Sequence, residues 1–263
     1  MTPQTALMKI SEHKSLTREE MLDLMQQIME GKVSSVLISA IITGLKIKGE
    51  SIDEIAASAQ VMRKFSTKVK VEKKDCLIDT CGTGGDGAST FNISTLSAFV
   101  AAAAGVKVAK HGGRSVSSKC GSADLLEHLG ADIMLSSDQV AECIDRSGIG
   151  FMFAPNHHSA MKYAAPVRKE LGIRTMFNIL GTLTNPAGAK RQLLGVFKKD
   201  LVSPLAEVLR VLGSEKAWVV HGSDGLDEIT ITGLTHVCEL SEGEISKFTI
   251  NPEDYGIKTG DIR

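Results

Sequence analysis

Four short segments of this chain concentrate residue types that handle phosphate and divalent cations. The first is Gly82-Thr83-Gly84-Gly85-Asp86-Gly87. Glycines there let backbone N–H groups approach a phosphate, and a helix starting beyond them adds the positive end of its dipole. The run also satisfies G-x-G-x-x-G. A dinucleotide site would want an acidic residue at the end of the second strand, and the second predicted strand runs into Lys110 instead. Asp86 would also face a pyrophosphate with no cation between them. A protein-kinase loop is disfavoured because H-R-D and D-F-G are absent, and a plain tight turn needs fewer glycines. The second segment, Thr90-Phe91-Asn92-Ile93-Ser94-Thr95, puts hydroxyls and an amide at the same mouth; helix capping needs one such residue, not four. The third is Lys110-His111-Gly112-Gly113-Arg114-Ser115-Val116-Ser117-Ser118-Lys119, with three cations and three hydroxyls. His111 is a candidate catalytic acid, although a lone histidine is more often structural, which is the reading favoured here. The fourth is Asp227-Glu228. A bare acidic pair is usually a solvated face; beside a diphosphate loop it becomes a candidate Mg²⁺ site, since Mg²⁺ takes one or two carboxylates plus phosphate oxygens.

The flanking pattern predicts what positions these segments. Thr17-Arg18-Glu19-Glu20 and Ser51-Ile52-Asp53-Glu54 are capping boxes, opening helices that stop near Gly31 and Phe65. Between them, Val33 to Lys48 is apolar on most of its circumference, as in a helix buried in a core or a subunit interface. From Cys76 onward the pattern alternates. Strands are predicted at 76–80, 106–109, 132–135, 149–153 and 217–220, with helices at 94–104, 122–129 and 137–146 and a hairpin over 235–240 and 244–250. Such alternation implies a parallel sheet with βαβ crossovers, and ligands collect at the carboxyl ends of its strands. The predicted fold class is therefore α/β: a small N-terminal helical domain over 1–72, then a larger α/β domain with a mostly parallel central sheet over 73–263.

Composition excludes several alternatives. Lys and Arg total 30 against 31 Asp and Glu, so the global basic excess of a nucleic-acid binder is missing and any anion site is local. Five cysteines without a C-x-x-C pair indicate neither a disulfide framework nor a zinc site. No apolar run has the length of a membrane span, and Met1 to Ser15 lacks the apolar core of a signal peptide. No membrane association and a cytoplasmic location are expected.

Taken together, the segments resemble the anthranilate phosphoribosyltransferases of glycosyltransferase family 3. The resemblance covers nearly the whole chain. It includes Asp79-Thr80-Cys81-Gly82-Thr83-Gly84-Gly85-Asp86, Lys110-His111-Gly112-Gly113-Arg114, Gly121-Ser122-Ala123-Asp124 and His157-His158. It continues through Ala165-Pro166-Val167-Arg168, Leu171-Gly172-Ile173-Arg174-Thr175, Asn185-Pro186-Ala187 and Gly225-Leu226-Asp227-Glu228. The related pyrimidine nucleoside phosphorylases share the fold but lack G-T-G-G-D. The resemblance implies transfer of a phosphoribosyl group from phosphoribosyl pyrophosphate to anthranilate, in tryptophan biosynthesis. It also implies a homodimer, a helical domain completed by an insertion near 165–183, and a chain cut short at its C-terminus. By the same resemblance, phosphoribosyl pyrophosphate would lie on Gly82, Gly85, Asp86, Thr90, Asn92, Ile93, Ser94 and Thr95. Lys110, His111, Gly112, Gly113, Arg114, Ser115, Val116, Ser117, Ser118 and Ser122 would complete its pocket. Ser94, Asp227 and Glu228 would hold two Mg²⁺ ions, while Gly82, Gly113 and Arg168 would meet anthranilate, Arg168 through the carboxylate. The family has Asn where this chain has Gly113, in the acceptor pocket. A different arylamine acceptor therefore stays open, as does a nucleoside phosphorylase-like activity; a non-catalytic nucleic-acid-binding relative is disfavoured by the intact glycine string and the near-neutral charge.

Overall fold

The computed structural model describes residues 1–72, 76–87, 90–115 and 120–261. In chain order the elements are α1 (Pro3–Ser11), α2 (Arg18–Met29), α3 (Ser35–Lys48), α4 (Ile52–Phe65), β1 (Ile78–Gly82), α5 (Ile93–Ala103), β2 (Val108–Gly112), α6 (Ser122–His128), α7 (Ser137–Ser147) and β3 (Ile149–Phe153). There follow α8 (Ala154–His157), α9 (Ala165–Leu171), α10 (Phe177–Leu180), β4 (Arg191–Gly195), α11 (Val202–Val211), β5 (Lys216–Gly222), β6 (Thr235–Ser241) and β7 (Glu244–Ile250). The chain forms two compact units, one made of Met1–Thr67 with Pro155–Thr184, the other of Lys68–Ala154 with Asn185–Arg263.

The first unit is helical. Both capping boxes form: the Thr17 and Ser51 hydroxyls accept from Glu20 and Glu54 N–H, and both glutamates reach back to the cap backbone. Glu54 does more. Fully buried, it also accepts Leu16 N–H at 2.9 Å and pairs with the buried Lys48 ammonium at 2.8 Å. A carboxylate out of water needs this many partners. Helix α3 turns Ile38, Ile41, Ile42 and Leu45 into the core but leaves Val36 and Ile47 exposed, at 79% and 72%. No helix among the described residues is long and apolar enough to cross a membrane.

The second unit carries one seven-stranded sheet in the order β3-β2-β1-β4-β5-β6-β7. Strands β3, β2, β1, β4 and β5 are parallel, and β6 and β7 add an antiparallel hairpin. Its two-residue turn places Glu242 and Gly243 at φ 52° and 84°, the pair of positive values that matches the twist of hairpin strands. β1 leads to β2 on one side, and β4 later pairs with its other side. That reversal is where doubly wound sheets bind ligands.

One sequence-based expectation fails, and one strand is unforeseen. The segment 132–135 is not a strand. Asp132 Oδ1 accepts Met134 N–H at 2.8 Å, closing an Asx turn, while Ile133 anchors it among Ala123, Leu126 and Phe153. The central strand β4 was not expected, because its first residues, Arg191 and Gln192, are polar. They are put to use: Gln192 donates to Cys81 Sγ at 2.9 Å, and Arg191 pairs with Glu215 at 3.5 Å.

Candidate functional site

The carboxyl ends of β1, β2 and β4 and the loop after β5 converge in the α/β unit. Gly84, Gly85 and Gly87 hold φ of 65°, 77° and 78°, values side chains rarely adopt. This loop turns two of its N–H groups inward: Thr83 N–H donates to Gly195 O at 3.0 Å and Gly84 N–H to Asp227 Oδ2 at 2.7 Å. The acidic loop packs tightly on two glycines. A Cβ on Gly82 would stand 2.6 Å from Asp227 Oδ2, and one on Gly195 would stand 1.6 Å from Asp227 O. Asp224 shapes the acidic loop from within, accepting Leu226 N–H at 3.0 Å and the hydroxyls of Thr230 and Thr232.

The acidic pair is crowded with negative charge. Burial, then the neighbouring Asp86, raises the Asp227 carboxyl; burial, then Asp227, pushes Glu228 up to about 8. Burial and mutual repulsion disfavour the charged forms, and a bound cation would favour them again. Among the described residues, no three His, Cys, Asp or Glu side chains converge to cage a metal. The donor set fits an ion that completes its shell with substrate oxygens, as Mg²⁺ does.

Helix α5 starts at this point. Asn92 precedes it without a side-chain cap bond; its amide is directed at Gly121 O, 3.5 Å away. The Ser94 N–H supports the Glu228 carboxylate, the Ser94 carbonyl accepts from Thr80 Oγ1 at 2.8 Å, and its hydroxyl accepts from Lys110 Nζ at 3.2 Å. Thr95 Oγ1 and Ser122 Oγ lie 2.9 Å apart, tying the first turn of α5 to the start of α6. Lys110 is buried, and two of its three N–H donors go to Ser94 Oγ and to Thr80 O at 2.7 Å. Burial lowers its affinity for the proton, opposed by the charge of Asp79.

The structure thus groups Gly82, Gly85, Asp86, Asn92, Ile93, Ser94, Thr95, Lys110, Asp227 and Glu228 around one end of the sheet, with Thr90 exposed just ahead of α5. His111 and Gly112 end β2; His111 is buried, and a Cβ on Gly112 would press on the Phe151 ring at 3.2 Å. At Gly113 a Cβ would meet nothing within 4 Å. Arg114 turns to α6, pairing with Asp124 at 2.9 Å and Glu127 at 2.8 Å over the Phe153 ring, while Ser115 N–H donates to Asp124. Val116, Ser117 and Ser118 lie outside the described residues. Arg168 belongs to the helical unit. Its guanidinium lies 5.5 Å from the Phe177 ring centroid and, among the described residues, has no ion-pair partner. Sequence reasoning gave no role to Gly195, Asp224, Thr80, Asp79 or Asn185. Asp79, Thr80 and Asn185 lie inside the family motifs; Gly195 and Asp224 carry no local signal.

Comparison with known proteins agrees with this geometry. The helical-bundle domain of the glycosyl transferase family matches residues 4–66, and its α/β domain matches 74–263. The anthranilate phosphoribosyltransferase of Methylobacillus flagellatus is 58% identical over 262 residues, covering 100% of this chain and 77% of that protein. The crystal structure of the Thermus thermophilus anthranilate phosphoribosyltransferase superposes with a TM-score of 0.90 at 44% identity, over 98% of this chain and 76% of that one. The Saccharomyces cerevisiae enzyme, in complex with phosphoribosyl pyrophosphate and magnesium, gives a TM-score of 0.90 at 28% identity, over 99% and 75%. With both domains matched in order and identity this high along its whole length, the chain belongs to the anthranilate phosphoribosyltransferases of the glycosyl transferase family.

Proposed function

We propose that this chain moves the phosphoribosyl group of phosphoribosyl pyrophosphate to the amine of anthranilate, releasing pyrophosphate, in the tryptophan-forming pathway of the cytoplasm. The observation that carries the reading is the meeting of a glycine loop, a buried lysine and an acidic pair at the switch point of the sheet. Breaking the bond from C1 to the diphosphate leaves positive charge on the ribose and negative charge on the leaving group. Lys110, the N-terminus of α5 and the glycine-loop backbone hold the departing diphosphate, while Thr90, Asn92, Thr95 and Ser122 line its approach. Asp227, Glu228 and Ser94 would hold Mg²⁺, two ions in the full complex, which supplies charge neutralisation on the diphosphate oxygens. An aromatic amine is unprotonated at neutral pH, so no strong general base is required. Placing it in line behind C1 supplies much of the rest, and attack from that face inverts the configuration.

Arg168 is proposed to take the acceptor's carboxylate; its lack of an acidic partner among the described residues supports this. Arg168→Ala should raise the KM for anthranilate about 10- to 150-fold, the equivalent of about 1.5–3 kcal/mol for a charge-assisted hydrogen bond. The KM for phosphoribosyl pyrophosphate should stay within twofold. Steady-state kinetics in both substrates checks this, and equal rises would make Arg168 a structural residue. The open space at Gly113 favours, as a second reading, a bulkier arylamine. Phosphoribosyl pyrophosphate consumption with anthranilate and a panel of arylamines separates the two.

We also propose a homodimer through the helical unit, supported by Val36 and Ile47 exposed on one of its helices. Light scattering at micromolar concentration should give twice the chain mass, and a monomeric mass would refute it.

A further inference from the structure

Strands β1 and β2 are parallel neighbours, yet their register runs through the single pair Ile78↔Val108, where Ile78 N–H donates to Lys107 O at 2.9 Å. Neither strand is frayed: β1 pairs with β4, and β2 with β3, over five residues each. Only the seam between β1 and β2 opens. A parallel ladder continued past that pair would take Thr80 N–H to Ala109 O and His111 N–H to Thr80 O. Side chains stand in for all of it. Asp79 Oδ1 accepts His111 N–H at 3.2 Å, and the same carboxylate is held by Thr80 N–H. Asn185 Nδ2 donates to Ala109 O at 2.8 Å and to Asp79 Oδ2 at 2.8 Å, and its carbonyl accepts Ala187 N–H at 2.9 Å. Lys110 Nζ crosses from β2 to Thr80 O at 2.7 Å.

Buried backbone groups must be paired, so a seam cannot open unless something replaces its ladder. Here the replacement is three buried polar side chains, Asp79, Lys110 and Asn185. Asn185 is fully committed, which fixes its orientation. The Lys110 ammonium bridges the open seam to Thr80 O and also reaches the start of α5 at Ser94 Oγ. A closed ladder would take Thr80 O, the acceptor that draws Lys110 across.

We propose that Asp79 and Asn185 are positioning residues: they wedge the β1–β2 seam apart and so aim Lys110 at the diphosphate. This rests on the phosphoribosyl-transfer reading. Neither residue touches substrate; each acts through Lys110.

The test compares the wild-type chain with Asp79→Asn, Asn185→Ala and the double variant. Pyrophosphate release is measured with phosphoribosyl pyrophosphate, Mg²⁺ and anthranilate. Each single change should lower kcat at least tenfold while the KM for anthranilate stays within twofold, a split that general loosening of the fold would not give. The double variant should be no slower than the slower single, because both residues serve one wedge. An unchanged kcat, an equal change in the anthranilate KM, or losses that multiply would overturn the proposal. Amide hydrogen exchange without ligand gives a second measurement. Exchange at His111 should rise more than tenfold in Asp79→Asn while Ile78 stays protected; unchanged exchange would equally overturn it. Should Asp79→Asn fail to fold, Asn185→Ala carries the kinetic arm, because it leaves the Asp79 bonds to the backbone in place. If the wild-type chain releases no pyrophosphate, the transfer reading falls, and the exchange measurement still decides whether these residues hold the seam.

Discussion

Gly195→Ala should cost at least 100-fold in kcat/KM. The added methyl carbon would sit 1.6 Å from the carbonyl oxygen of Asp227 and 2.6 Å from its carbonyl carbon. Ordinary contact between such atoms is about 3.5 Å, so one backbone must yield by more than an ångström. β4 lies between β1 and β5, paired over five residues on each side. The acidic loop must therefore give way, carrying Asp227 and Glu228 with it. Misplacing a reacting group by about 1 Å is enough for a loss of about 10². Overpacking should also lower stability by about 1–3 kcal/mol. Urea unfolding followed through Trp218, the one tryptophan, reads this directly, because Trp218 pairs with Leu193 of β4. Gly113→Ala is the control. Its methyl group meets nothing within 4 Å, so its stability should match the wild type. If Gly195→Ala retained full activity, the close approach of the acidic loop would be immaterial to catalysis.

Removal of divalent ions should abolish turnover, to below about one part in 10², the usual scale for losing a charge-stabilising group in such a site. A second signature needs no turnover. The folded chain raises Glu228 from 4.5 to about 8, and raises Asp227 as well. A carboxyl raised on folding contributes stability that is complete below its unfolded value and is lost as pH rises through its folded value. The metal-free chain should thus lose stability between about pH 5 and 8.5. Mg²⁺ competes with the protons on these carboxyls, so its stabilisation should be larger at pH 8 than at pH 6. Melting temperatures with and without Mg²⁺ across this range check it. Full turnover in excess chelator, or a metal effect that shrinks toward pH 8, would remove Asp227 and Glu228 from the metal site.

Both predictions draw on features of different legibility. The glycine loop could be read from the sequence because three of its four glycines serve a local need, a positive φ; only Gly82 answers to a distant residue, Asp227. Capping boxes are equally local, and both formed where their spacing placed them. Gly195 was not legible. Its need for a missing side chain arises from a residue 32 positions on, across a strand whose polar start hid it. The wedge was illegible for the same reason: Asp79 and Asn185 lie 106 residues apart and meet across the sheet. Ile133-Met134-Leu135 misled in the opposite direction, since one buried anchor in a turn and one in a strand look alike over three residues.

The division of the chain has a consequence for the order in which it assembles. Both units are discontinuous: the helical one waits for Pro155–Thr184, and the sheet waits for Asn185 onward. As the polypeptide leaves the ribosome, β1, β2 and β3 emerge first, and β1 then offers an open edge until β4 arrives to pair with it. An unpaired edge is a template for pairing with a neighbouring chain. The lengthy detour through α8, α9 and α10 prolongs that interval, and the late contacts it requires, such as Arg63 with Leu183, close loops of great length. Slow refolding that loses yield as concentration rises follows from this chain order, and synthesis at low density of nascent chains should relieve it.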